Sequence, residues 1–84
     1  MANGPMQRTF QTKSKIVSGT SDVNGNLYLQ LTSSEADMIL SVTNNNLVFI
    51  PFIYAGKWYA RAQSSGADGA AIINTTMNVT VIYH

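Results

Sequence analysis

Leu27, Leu29 and Leu31 alternate with Tyr28 and Gln30, a period of two that predicts a half-buried strand with the leucines inward. Just before it, Asp22, Val23, Asn24, Gly25 and Asn26 bring an Asn-Gly pair, whose tolerance of positive φ predicts a tight hairpin turn. Residues 32–37 offer several capping side chains but too few positions for more than one helical turn. A strand follows at 38–43, with Met38, Leu40 and Val42 on one face and Ile39 and Ser41 on the other. Asn44, Asn45 and Asn46 mark a turn, because asparagine accepts left-handed backbone angles. Residues 47–54 form the next strand, and Ala55 and Gly56 are a two-residue connection into residues 57–62. There Trp58, Ala60 and Ala62 alternate with Tyr59 and Arg61, so the two strands pair as a hairpin. After a loop at 63–69 the pattern resumes at Ile72, with Met77, Val79, Val81 and Tyr83 on one face and Asn78, Thr80 and Ile82 on the other. Residues 8–18 are polar with Phe10, Ile16 and Val17 as apolar markers, compatible with one or two extended segments. Six to seven short strands, with turn signals about every ten residues, predict an all-β chain folded as a small antiparallel β-sandwich of jelly-roll-like form. The expected organisation is a polar N-terminal arm or lead over residues 1–15 and one sandwich domain over 16–84.

Residues 47–54 depart from simple alternation. Leu47, Phe49, Pro51 and Ile53 make one apolar face, and Val48, Ile50, Phe52 and Tyr54 make another. One face serves the core; the other needs a cover. Pro51 has no N–H for a sheet ladder, which places it on an edge strand or at a bulge, and a bare apolar edge invites aggregation. Burying two or three of these side chains at a subunit contact would contribute about 1.5–3 kcal/mol each. Self-association through Val48, Ile50, Phe52 and Tyr54 is therefore expected, the alternative being a central strand buried on both sides with Pro51 at a bulge.

Composition agrees with strands. Thr, Val and Ile make a quarter of the 84 residues and Glu occurs once, whereas solvated helices draw on Glu, Lys and Arg pairs. Asn, Thr, Ser and Gln make a third of the chain, so the surface is mostly neutral and polar. Without cysteine there is neither a disulfide scaffold nor a Cys-ligated metal. A net charge of +1, with its five cations dispersed, provides no footprint for a phosphate backbone, and nucleic acid is not an expected partner. The longest apolar run, residues 47–55, is far short of the ~20 residues of a membrane helix. Residues 1–6 lack the features of a signal peptide. No membrane partner is expected, and synthesis is expected in a cytoplasm.

Catalytic chemistry finds little support. Asp22, Glu35, Asp37 and Asp68 are the only carboxylates, all in turns or loops, and nothing positions two of them across a substrate. His84, the sole histidine, is the last residue and a poor general base for a serine nucleophile. Asp22, Asn24 and Asn26 match the first ligand positions of a calcium loop, but Gly25 comes too early and Ser33 stands where Glu is needed. No catalytic residue, metal or cofactor is expected. Trp58, Tyr59 and Arg61, with Tyr54 near, are a candidate platform for stacking on a sugar ring. The alternative is that Trp58 fills the core while Tyr54 and Tyr59 line a subunit contact.

The stretch from Ser18 through Gly19, Thr20, Ser21, Asp22 and Gly25 to Leu27, the run Trp58-Tyr59-Ala60-Arg61, and the closing Asn78-Val79-Thr80-Val81-Ile82-Tyr83 together resemble a small β-module of phage virion proteins. The resemblance spans about residues 16 to 83 and lies in turn and strand patterns. It implies a homotrimeric sandwich in the virion. Its role would be that of a tail-fibre or baseplate head domain, adhering to saccharide on a Gram-positive host and touching other virion proteins. Such heads stand on a long shaft, and no coiled-coil or collagen-like stem occurs here, which keeps capsid decoration, or a small virion-assembly role on the capsid surface, as the alternative.

Overall fold

The computed structural model describes residues 12–44 and 46–84. Six strands run in the order β1 (Lys13–Thr20), β2 (Asn26–Thr32), β3 (Ile39–Thr43), β4 (Leu47–Tyr54), β5 (Lys57–Ser64) and β6 (Thr76–Tyr83), with no helix among the described residues. They form two antiparallel three-stranded sheets, ordered β1-β6-β3 and β2-β5-β4. The inner faces follow the alternation in the sequence. Leu27, Leu29 and Leu31 of β2 and Trp58, Ala60 and Ala62 of β5 bury one side of the core; Val17 of β1 and Met77, Val79 and Val81 of β6 bury the other. Each fully buried leucine contributes about 1.5–3 kcal/mol, and the alanines of the central strand β5 let the layers approach.

Three local features depart from simple alternation. The turn after β1 forms as its residues predict: the Gly25 N–H donates to the Asp22 carbonyl at 3.0 Å, and Gly25 sits at φ 84°. It is not a hairpin, however, because β1 and β2 lie in opposite sheets. Turn chemistry sets the reversal, while burial sets the neighbours, and Val17 and the leucines of β2 meet across the core rather than side by side. In β3 the register steps from Ile39↔Tyr83 to Ser41↔Ile82, one extra residue that inverts the parity. Ile39 and Val42 thereby both pack against the core, and Met38 and Leu40 are exposed; the expected face of Met38, Leu40 and Val42 is broken. In β2 the step from Tyr28↔Tyr59 to Thr32↔Lys57 leaves two extra residues, with Gln30 at φ 59°. Two is a full period, so the three leucines stay inward.

The folded part starts earlier than residue 16, since Lys13 already pairs with Tyr83 and the Lys15 ammonium donates to the Gln30 carbonyl at 2.6 Å. Residues 1–11, most of the expected arm, lie outside the described residues. The last strand starts later than Ile72, at Thr76. The intervening loop is pinned by buried Ser21, whose hydroxyl donates to the Ile72 carbonyl at 2.7 Å and accepts from the Thr75 N–H at 3.0 Å. Residues 32–36 make one hydrogen-bonded turn. Thr32 donates to Glu35 Oε1 from its N–H at 2.8 Å and its hydroxyl at 3.1 Å, the return contact of a capping box. These two bonds favour the charged form and hold the Glu35 carboxyl below its ordinary value.

Candidate functional site

Sequence reasoning separates a subunit contact (Val48, Ile50, Phe52, Tyr54) from a ligand platform (Trp58, Tyr59, Arg61). The fold puts all but Trp58 on one surface, the outer face of β2-β5-β4. Across it Val48 pairs with Gln63, Ile50 with Arg61, Phe52 with Tyr59 and Tyr54 with Lys57, while Asn26 and Tyr28 of β2 pair with Arg61 and Tyr59. Val48, Ile50 and Tyr54 are 45%, 49% and 68% exposed. Tyr59 is the hub of the rings: its centroid lies 5.4 Å from Tyr28, 5.8 Å from Phe52 in a stacked arrangement, and 6.3 Å from Tyr54 edge-on. Such offset and edge contacts suit the quadrupole of aromatic rings and hold the cluster in place. The Lys57 ammonium lies 5.6 Å from the Tyr28 centroid, within cation–π reach.

β4 is an edge strand, paired with β5 alone, so the alternative of a strand buried on both sides does not hold. Leu47 and Phe49 pack against the core and the opposite face is open. Ala55 at φ 53° and Gly56 at φ 76° make the tight turn expected between β4 and β5, and in such a hairpin the flanking pair Tyr54–Lys57 is hydrogen-bonded. Counting back along the ladder, Phe52, Ile50 and Val48 also bond β5, whereas Ile53, Pro51, Phe49 and Leu47 turn their backbone groups outward. The Leu47 N–H accordingly goes to the Asn44 carbonyl at 3.0 Å. Pro51 thus occupies an outward position midway along the free edge, where its missing N–H costs the sheet nothing and interrupts the row of donors a foreign strand would use.

Trp58 is a correction to the platform. It is only 9% exposed, and its indole N–H donates to the Ala36 carbonyl at 2.8 Å. Its parity with Ala60 and Ala62 carries it inward, so the ring bridges the core to the turn at 32–36 and offers no face to a ligand. Tyr59 and Arg61, half a period away, point outward.

Three residues that the sequence places in the turn join the site. A groove of about 360 Å³ is lined by Asp22, Asn24 and Asn26 on one side and Phe52, Tyr54 and Tyr59 on the other. Asp22 Oδ1 accepts the backbone N–H groups of Asn24 at 2.8 Å and Asn26 at 2.9 Å, the Asx arrangement that fixes a turn. This oxygen is committed to the backbone, as the turn reading of residues 22–26 requires. No group of three or more His, Cys, Asp or Glu able to hold a metal occurs among the described residues. The groove contains one carboxylate, Asp22, among the described residues that line it. Glu35 is engaged by Thr32, and Asp68 accepts the Ala70 N–H at 3.3 Å. The backbone of His84 is tied to Asp37 and Met38, so this chain end is held rather than loose.

The other sheet presents a different surface. Thr20 and Thr76 share a hydroxyl–hydroxyl bond of 2.8 Å, and the Asn44 side-chain amide donates to the Asn78 carbonyl. The shallow concavity beside that contact, lined by Thr43, Asn44, Asn78 and Thr80, has no ring and no charge. Of these two concavities, the aromatic groove is the one with both stacking and hydrogen-bonding capacity. Comparison of the chain with protein-family models, curated proteins and solved structures returns no match. The class that the structure itself defines is a small all-β protein of two antiparallel sheets carrying an exposed aromatic face.

Proposed function

We propose that this chain is a non-catalytic module of a phage virion that works by surface contact, as a tail-fibre or baseplate head domain adhering to saccharide on the host surface. The observation that carries this reading is the outer face of β2-β5-β4, where Tyr28, Phe52, Tyr54 and Tyr59 cluster beside a groove rimmed by Asp22, Asn24 and Asn26. Aromatic rings next to planar neutral amides suit a ligand that is apolar on its faces and hydroxylated at its rim. The strand order supports the jelly-roll-like form, since the first four strands alternate between the sheets and β1 pairs with β6 as β2 pairs with β5. Synthesis in the host cytoplasm and residence in the virion, among other virion proteins, belong to the same reading. The test is co-sedimentation of the purified chain with isolated Gram-positive cell walls, before and after chemical removal of wall polysaccharide. Retention on intact walls and loss on stripped walls is expected; failure to sediment with any wall overturns the adhesive role.

The second reading, capsid decoration or a small assembly protein, is favoured by exposed Val48 and Ile50 on the same face, which a protein cover would dehydrate. Of the expected contact through Val48, Ile50, Phe52 and Tyr54, a homotrimer would use Val48 and Ile50 and leave Phe52 and Tyr54 to the groove they line. Placing an unpaired charge in such a contact is expected to dissociate it. Ile50→Asp should therefore convert a sedimenting trimer to monomer with an unchanged circular-dichroism spectrum, and an unaltered sedimentation profile of the folded variant would remove Ile50 from the interface.

A further inference from the structure

The two walls of the groove differ in chemistry, and the difference selects a ligand. On the first wall, the Asp22 carboxylate holds the backbone at Asn24 and Asn26, and Gly25 between them is locked by its carbonyl, which accepts the Ala62 N–H of β5 at 2.8 Å. Two amide side chains thus project from a rigid turn. Neither makes a hydrogen bond to the described residues, so each retains two donors and an acceptor for a ligand. On the second wall, Tyr54 and Tyr59 meet edge-on with centroids 6.3 Å apart, and Phe52 stacks on Tyr59. The rings support one another and lose little freedom on binding.

Three ligand classes fit poorly. A wholly apolar ligand would strip water from Asn24, Asn26 and Asp22 without replacing its hydrogen bonds. An anionic group inside the groove would meet Asp22, the one charged residue of the lining, while Arg61 beside Asn26 and Lys57 beside Tyr54 stand outside it on the same face, and like charges brought together at an interface are penalised. A double-stranded nucleic acid needs a cluster of cations. A neutral pyranose satisfies both walls, its C–H face on the rings and its hydroxyls on the amides. The groove volume, about 360 Å³, falls within the ~300–1,000 Å³ of small-ligand sites.

We infer that this groove is a subsite for one neutral pyranose residue, stacked on Tyr59 and Tyr54 and hydrogen-bonded by the side-chain amides of Asn24 and Asn26. The inference rests on the reading of this face as adhesive, and it narrows that reading to an uncharged sugar. Glycerol phosphate, the repeating unit of an anionic wall polymer, would not occupy the groove.

A titration followed by two-dimensional amide NMR tests it, with glucose, galactose and N-acetylglucosamine as neutral probes and glycerol 1-phosphate as the anionic one. At least one neutral sugar is expected to shift the side-chain amides of Asn24 and Asn26 and the backbone amide of Tyr59 saturably. Tyr59→Ala should weaken that binding by at least ~10-fold, the loss typical of a truncated aromatic anchor, whereas Tyr59→Phe should retain it. Each variant's spectrum away from the groove reports that the fold is kept. Shifts produced by glycerol 1-phosphate alone would overturn the neutral-sugar assignment, as would sugar-induced shifts confined to another surface. If no sugar moves the groove while the chain still binds cell walls through their polysaccharide, the subsite is wrong and the adhesive role stands. Loss of both defeats the adhesive role itself.

Discussion

Replacing Gly25 by valine is expected to remove a large share of the stability of the fold. Gly25 holds φ at 84°, where a β-branched residue is strained by about 1–3 kcal/mol. Space is a second obstacle: a Cβ there would come within 3.0 Å of the Ala71 Cβ and 3.3 Å of the Ala62 carbonyl oxygen, and overpacking of this kind costs about 1–3 kcal/mol. A chain of 84 residues has roughly 4–13 kcal/mol in all at the usual ~0.05–0.15 kcal/mol per residue. The combined cost thus approaches the whole for a fold at the lower end. Urea unfolding followed by Trp58 fluorescence measures it, and Gly25→Asn separates the causes. Asparagine accepts the left-handed angle but still carries a Cβ toward Ala71, so it should recover part of the loss and not all. A midpoint unchanged in Gly25→Val would mean that the turn is not held against Ala62 and Ala71.

The same glycine shows what a sequence discloses and what it leaves to tertiary structure. Its Asn-Gly context announces a turn, because φ tolerance is a local property, but not that the turn arches between two sheets. That depends on which strands bury against which, and β1 finds β6 from the far end of the chain. Parity is equally legible where a strand is regular. The inward positions of β2, β5 and β6 follow from alternation, and Trp58 shares the parity of Ala60 and Ala62, a signal that already argued against its use as a platform. Parity fails in β3, where one inserted residue at Leu40 inverts it, and only the partner strand β6 defines that insertion. Pro51 is legible because a missing N–H is an attribute of the residue itself, wherever it stands. The groove is not, since its walls come from residues 22–26 and 52–59 and meet only once β2 lies beside β5. From sequence, Tyr59 could be placed on an outward face and Asn26 in a turn; their proximity could not.

Trp58→Ala is the second large effect, and it separates the core from the surface as the place where this tryptophan acts. The side chain is buried among the inner residues of both sheets, and its N–H satisfies the Ala36 carbonyl at 2.8 Å. Truncation to alanine leaves a cavity and an unpaired acceptor, at a cost of about 3–5 kcal/mol. With ~4–8 °C of melting temperature per kcal/mol for a domain of this size, the variant should melt more than ~12 °C below the parent or fail to fold. Trp58→Phe keeps most of the ring volume and removes only the donor, so its loss should be nearer the ~1–3 kcal/mol of one unsatisfied buried carbonyl. The grading from phenylalanine to alanine distinguishes packing from hydrogen bonding. It also distinguishes a core residue from a ligand platform, because an exposed ring used for stacking would give the opposite pattern: unchanged melting with lost binding. Thermal denaturation followed by circular dichroism, set beside cell-wall co-sedimentation, reads both at once. Trp58→Ala with parental melting and no wall binding would turn the indole outward and move the sugar-stacking surface from Tyr59 to Trp58.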